Sequence, residues 1–287
     1  MSFRMEFKLR PHLVVLLDIL GHKGHLSALE KAVNTDNAEA VRRAVESSLT
    51  VVADLREKFK VTLSALEGRL RPPRGASTDQ RDFFNRLGPL DLPFQAYADS
   101  LVVCVPVDDT DAWARGALAA LLATCVVFLY SLKAGYPIRG AVEVGCATSD
   151  LFPGEIYGPA LCIAHMLESS KADFPRVIIG AELWGRLRSI ADERVSDREG
   201  EFYRDCAKKA LDLVGDDVDG CRILDYLGEM SRQQCSGIAG EWLPAAHRFL
   251  KVEHRRFAAA GDFKLARRYY LALRYFSAKS SAWTGTQ

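Results

Sequence analysis

The stretch 13–21, LVVLLDILG, sets five aliphatic residues, an aspartate, two further aliphatics and a glycine in a row. Such a run alternates too little for an exposed strand and suits a central strand buried on both faces, ended by Gly21. Asp18 near its end is costly, because burying an ionised carboxylate without a partner costs several kcal/mol. The stretch 94–105, FQAYADSLVVCV, poses the same problem. Residues 95–98 and 101–106 read as two short strands of a β-hairpin, with Asp99 and Ser100 at the turn. Either aspartate alone suits a helix cap or a turn. Together they invite a hard divalent ion, Mg²⁺ or Mn²⁺, as their partner.

Outward from these strands, apolar residues at 41, 45, 49, 52, 55, 59 and 63 recur at helical spacing, predicting an amphipathic helix over about 36–68. RPPRGASTDQ, 71–80, has the content of an exposed loop. A long apolar helix follows over about 111–134, with Gly135 placed to cap it. Next come a strand at 138–146, a helix at 157–171 opening on Gly158-Pro159, and a strand at 176–179 after Pro175. The order β-α-ββ-α-β-α-β suits an α+β fold, a sheet covered by helices in the ferredoxin-like arrangement. Beyond about 190 the chain turns polar, offers a strand at 221–226 and ends in helices near 244–260 and 262–279. We therefore expect a core domain over 1–190 and a mainly helical C-terminal extension over 191–287.

Bulk properties exclude several classes. Of the 287 residues 48% are apolar, enough for a sizeable core, and 38 Lys and Arg face 37 Asp and Glu. A net charge of +1 gives no global attraction to nucleic acid or an anionic membrane. The seven cysteines lack zinc spacing and read as reduced thiols, which places the protein in the cytoplasm. Arg4, Lys8 and Arg10 before an apolar stretch imitate a signal peptide, but Asp18 interrupts it too early. The uncharged run 116–132 is at the short limit of a membrane span and is read as a core helix. Arginines and aromatics interleave at 255–276, where the aromatics are expected to pack and the arginines to form a solvated face. No nucleic-acid partner is expected. His22-Lys23-Gly24-His25 has the spacing of a metal pair in a loop but no further ligands nearby.

In a ferredoxin-like sheet the first strand and the hairpin are neighbours, so Asp18 and Asp99 converge. Two carboxylates there can hold two divalent ions, which clamp a triphosphate and lower the pKa of an attacking hydroxyl. Leu20, Gly21 and His22 would then present backbone N–H groups to the phosphates.

LDILGH (17–22) resembles the F-x-D-I-x-G-F strand and loop of the class III nucleotide cyclases, and AYADSLVV (96–103) resembles their G-D-S hairpin. IRGAVEVG (138–145) is similar to their R-x-G-I-x-x-G strand, and 155–180 to their Y-G helix and following strand. The resemblance covers about 12–185. It implies that Asp18, Asp99 and the carbonyl of Ile19 hold two Mn²⁺ or Mg²⁺ ions. It also implies attack of the ribose 3′-hydroxyl on the α-phosphorus, and active sites formed between the subunits of a homodimer.

The departures from the family pattern are informative. Base-reading positions carry Gln95 and Glu155 where purine cyclases have Lys or Glu and Asp, Thr or Cys. Gln95 can donate and accept, and Glu155 can accept from a ring or exocyclic N–H. The transition-state Asn and Arg fall at Cys162 and Met166, leaving Arg139, His165 and Lys171 as candidate cations. Arg139 could instead form a structural ion pair, and His165 could be a plain helix-face histidine. The combination resembles the pyrimidine nucleotide cyclases of the bacterial Pycsar antiphage systems. It implies UTP as substrate, with CTP the alternative because one Gln/Glu pair cannot separate uracil from cytosine. The cyclic nucleotide would be a second messenger reaching a separate effector. A purine cyclase with altered base contacts and a catalytically dead, nucleotide-binding regulatory fold are the rival readings.

Overall fold

The computed structural model describes residues 9–34, 37–69, 78–86, 92–96, 99–107, 111–148 and 155–284. In chain order the elements are β1 (Arg10–Ile19), α1 (His22–Asn34), α2 (Ala38–Arg69), α3 (Thr78–Arg86), β2 (Phe94–Ala96), β3 (Ser100–Pro106), α4 (Trp113–Ala134), β4 (Ile138–Ala147), α5 (Pro159–Lys171) and β5 (Val177–Ile179). They continue as α6 (Ala181–Asp192), α7 (Arg198–Leu211), β6 (Val214–Asp216), β7 (Arg222–Leu224), α8 (Glu229–Ala239), α9 (Leu243–Ala259) and α10 (Phe263–Thr284).

The strands form one mixed sheet in the order β2-β3-β1-β4-β5-β7-β6. β4 and β5 run parallel, and the other neighbours are antiparallel. β1 is central because its side chains have apolar partners on both sides. Leu13, Val15, Leu17 and Ile19 enter the main core with α4, while Val14 and Leu16 join Val102, Cys104, Ala160 and Ala164 beneath α5. Burying each such side chain stabilises the fold by roughly 1.5–3 kcal/mol, so the 13–17 run anchors both layers.

α4 is apolar all round. With mean hydropathy 1.9 it is long and apolar enough to cross a membrane, yet 83% of that window is buried inside the fold, consistent with the core helix of a soluble protein. Gly135 ends it with φ 88°, its N–H bonded to the Leu132 carbonyl. Asp54 of α2 fastens that end of α4: it accepts hydrogen bonds from Tyr130 (2.8 Å) and Tyr136 (2.5 Å).

The expected elements lie where the sequence placed them, shifted by a few residues at their ends. The helices α1, α6, α7 and α8 and the strand β6 are additions. Of the 71–80 segment expected as a loop, 71–77 lie outside the described residues and Thr78 opens α3. The chain beyond 190 is mostly helical, and it contributes β7 and β6 to the same sheet.

Candidate functional site

Asp18 sits one residue from the end of β1, in register with Ser100 of β3 on one side and Arg139 of β4 on the other. Three side chains from three adjacent strands therefore meet on the sheet face that carries α5. Ser100 Oγ donates to Asp18 Oδ1 at 3.1 Å and lies 3.4 Å from Asp99 Oδ1. The Ile19 N–H donates to the Asp99 carbonyl at 3.1 Å, locking the hairpin turn to the end of β1. Asp18 and Asp99 thus converge as the sequence predicts, with Ser100 between them.

Arg139 closes the other side. Its Nε and Nη2 lie 3.3 Å from Asp18 Oδ2, and Nε lies 2.5 Å from Oε1 of Glu168, a buried residue of α5. Nη1 donates to the Ala172 carbonyl, the C-cap of α5, at 3.4 Å. Gly140 lets β4 approach this closely: a Cβ there would stand 2.2 Å from the Leu16 carbonyl oxygen. Arg139 is thus an ion-pair partner of two carboxylates, the structural alternative that the sequence leaves open for it.

One guanidinium faces more negative charge than it can neutralise. Burial pushes the Asp18 carboxyl above its ordinary value; Arg139 and Ser100 oppose that shift, and the charge of Asp99 adds to it. Burial likewise raises Glu168, against the pull of Arg139 and the nearby His165 and with the repulsion of Asp18. Such a cluster attracts cations and repels a polyphosphate unless cations accompany it. The donor set of carboxylates with the Ile19 carbonyl is hard oxygen and fits Mg²⁺ or Mn²⁺. Among the described residues no group of three or more His, Cys, Asp and Glu could hold a metal ion. An ion here would rest on the two aspartates and backbone oxygen.

The turn after β1 differs in detail from expectation. The Leu20 N–H is bonded to the Pro137 carbonyl at 2.8 Å, so it is not free to meet a phosphate. Gly21, at φ 87°, leads straight into α1, so Gly21 and His22 stand at a helix N-terminus, where the first backbone N–H groups have no partner within the helix. The His22–His25 pair falls in that first helical turn, with side chains outside the described residues.

Gln95 and Glu155, far apart in sequence, are neighbours. Gln95 Oε1 accepts the N–H of Ile156 at 2.6 Å, which holds the side-chain amide next to the segment that carries the exposed Glu155. Cys162, His165 and Met166 occupy the exposed face of α5, and Lys171 its exposed last turn. That face is separate from the buried face, where Glu168 meets Arg139.

Two contributors had no assigned role in the sequence reading. Ser100 follows Asp99 in the hairpin motif, and Glu168 lies within the 155–180 stretch; only the strand register and the placement of α5 give them partners. Glu143 is a third buried carboxylate, and its work is structural. Its Oε1 accepts from the N–H groups of Val144 (2.7 Å) and Leu183 (2.9 Å), capping α6. No protein-family model, curated protein or solved structure matches the chain.

Proposed function

We propose that the protein is a pyrimidine nucleotide cyclase that converts UTP to cyclic UMP and pyrophosphate, with CTP as the alternative substrate. The observation that carries this reading is the convergence of Asp18 and Asp99 across β1 and the β2–β3 hairpin, with too little positive charge around them. The order β2-β3-β1-β4, antiparallel throughout, supports a ferredoxin-like cyclase core.

Two bound Mg²⁺ or Mn²⁺ ions, held by Asp18, Asp99 and the Ile19 carbonyl, would neutralise the triphosphate and lower the pKa of the ribose 3′-hydroxyl. The reaction joins the 3′-oxygen to the α-phosphorus, breaks the bond to the β-phosphate and releases the hydroxyl proton with pyrophosphate. Ser100 and Arg139 orient the Asp18 carboxylate from opposite sides. Gly21 and His22 offer backbone N–H groups to the phosphates. The Gln95 amide donates to a base carbonyl or ring nitrogen, while Glu155 accepts from a base N–H.

Cys162 and Met166 cannot stabilise developing phosphate charge, and Arg139 is occupied by two carboxylates. Of the candidate cations this leaves His165 and Lys171, exposed on α5 as a homodimeric arrangement with shared sites requires. The same observation favours the second reading, a nucleotide-binding regulatory fold without catalysis. The first reading places the protein in the bacterial cytoplasm as a source of second messenger for antiphage defence, acting through a separate effector. Incubation with each of the four ribonucleoside triphosphates and Mn²⁺, with products identified by mass, separates the readings. Cyclic UMP or cyclic CMP supports the first; cyclic AMP or cyclic GMP moves the protein to the purine class, and nucleotide binding without product supports the second.

A further inference from the structure

Residues 243–284 carry nine Lys and Arg against two Asp and Glu, in a chain whose net charge is only +1. The positive charge is therefore concentrated on the α9–α10 hairpin. Part of it is used internally: Arg256 pairs with Glu253, and Lys279 pairs with Asp225.

The expectation that the aromatics of this hairpin pack and the arginines form a separate solvated face holds for Phe257, which stacks on Tyr269, and for the buried Phe276. It fails for two rings. Phe263 is 76% exposed and Tyr270 49% exposed. They alternate with the exposed Arg267 and Arg274 at spacings of four, three and four residues, so all four side chains lie on one stripe of α10. Lys264 is exposed beside its start. From α9, His254 packs against Tyr270 with ring centroids 5.9 Å apart, and Lys251, one turn earlier on that flank, is exposed. The ion pair of Arg267 with Asp173 is long, at 3.9 Å, and exposed, so it holds the guanidinium weakly.

We propose that this stripe binds single-stranded nucleic acid, with the arginines on phosphates and the Phe263 and Tyr270 rings stacked on bases. Rings set between cations are what a single strand needs, because every base has a face to stack and every nucleotide a charge to neutralise. Phe263 and Tyr270 stand about 10 Å apart along the helix, a spacing that a few nucleotides span. A membrane surface fits less well. An interfacial helix needs a broad apolar face, and that of α10 is already buried through Ala266, Ala272 and Phe276. What it exposes is two isolated rings in a cationic row.

The test is fluorescence anisotropy of the full chain with labelled 20-nucleotide oligo(U) and oligo(dT), beside vesicles rich in phosphatidylserine. Binding of either oligonucleotide is expected, falling about twentyfold from 50 to 200 mM salt if three phosphates are contacted. Phe263→Ala with Tyr270→Ala should weaken it by about tenfold or more, and Arg267→Glu with Arg274→Glu should abolish most of it and flatten the salt dependence. These side chains are exposed, so melting curves should match the wild type and separate lost binding from lost folding. No oligonucleotide binding at 50 mM salt would overturn the proposal. So would affinity unchanged in the ring variant, or binding confined to the vesicles.

Discussion

Asp18 is held between opposed influences. Ser100 and Arg139 bond its two oxygens, while burial and Asp99 make its charge costly. A carboxyl raised above its ordinary value in the folded state lends stability below its unfolded pKa, and that stability is lost as pH rises through the folded value. Above that value the fold bears the cost of ionising Asp18. Asp18→Asn should therefore raise the thermal midpoint of the metal-free protein at pH 7.5, and the gain should shrink as the pH falls towards 3. Thermal scans at the two pH values check this; a lowered midpoint at pH 7.5 would contradict it. Mn²⁺ should raise the midpoint of the wild type through preferential binding to the folded state, and should do so less for Asp99→Ala. The convergence of Asp18 and Asp99 was legible in residues 17–22 and 96–103, because a charge inside an apolar strand demands a partner. Arg139 and Glu168 as partners were not legible, since cross-strand register and helix placement bring them together over 121 and 29 residues of sequence respectively.

At the scale of elements, buried carboxylates act as fasteners. Glu143 satisfies two backbone N–H groups, that of Val144 in β4 and that of Leu183 in the first turn of α6, and Glu143→Ala leaves them buried without an acceptor. A loss of about 1–3 kcal/mol in urea unfolding is expected, with no change in the products formed. Asp54, only half-buried, ties α2 to the end of α4 through Tyr130 and Tyr136, and Asp54→Ala should cost about 0.5–1.5 kcal/mol per hydrogen bond lost. Elements with strong apolar periodicity or runs were readable: β1, α2, α4, β4 and α10. α7 was missed because its polar content hides a short apolar stripe of Tyr203, Cys206, Ala207 and Ala210, although Asp197 is an N-cap that accepts from Gly200. Strand β6 was missed because three residues, Val214–Asp216, gain their strand geometry from pairing with β7.

Across the whole molecule, the C-terminal helix is tied to the rim of the sheet. Tyr275 donates to Asp225 Oδ1 at 2.5 Å and accepts from the Leu227 N–H at 3.1 Å. Lys279 reaches Asp225 Oδ2 at 2.5 Å, and Trp283 donates to the Leu227 carbonyl at 2.9 Å. These residues follow one another at four-residue intervals, so one face of α10 clasps the turn after β7. Tyr275→Phe should lower the unfolding free energy by about 1–3 kcal/mol, since it removes a donor from a buried carboxylate and an acceptor from a backbone amide. Asp225 and Tyr275 were not singled out as partners in the sequence because nothing local links them. The proposed cyclase chemistry rests on the aspartate pair, and it is tested most directly by the product formed from UTP or CTP with Mn²⁺, compared between the wild type and Asp99→Ala by mass. Cyclic UMP or cyclic CMP from the wild type, reduced at least a hundredfold in the variant, is predicted; no cyclic product from either nucleotide, or equal product from the variant, would contradict it.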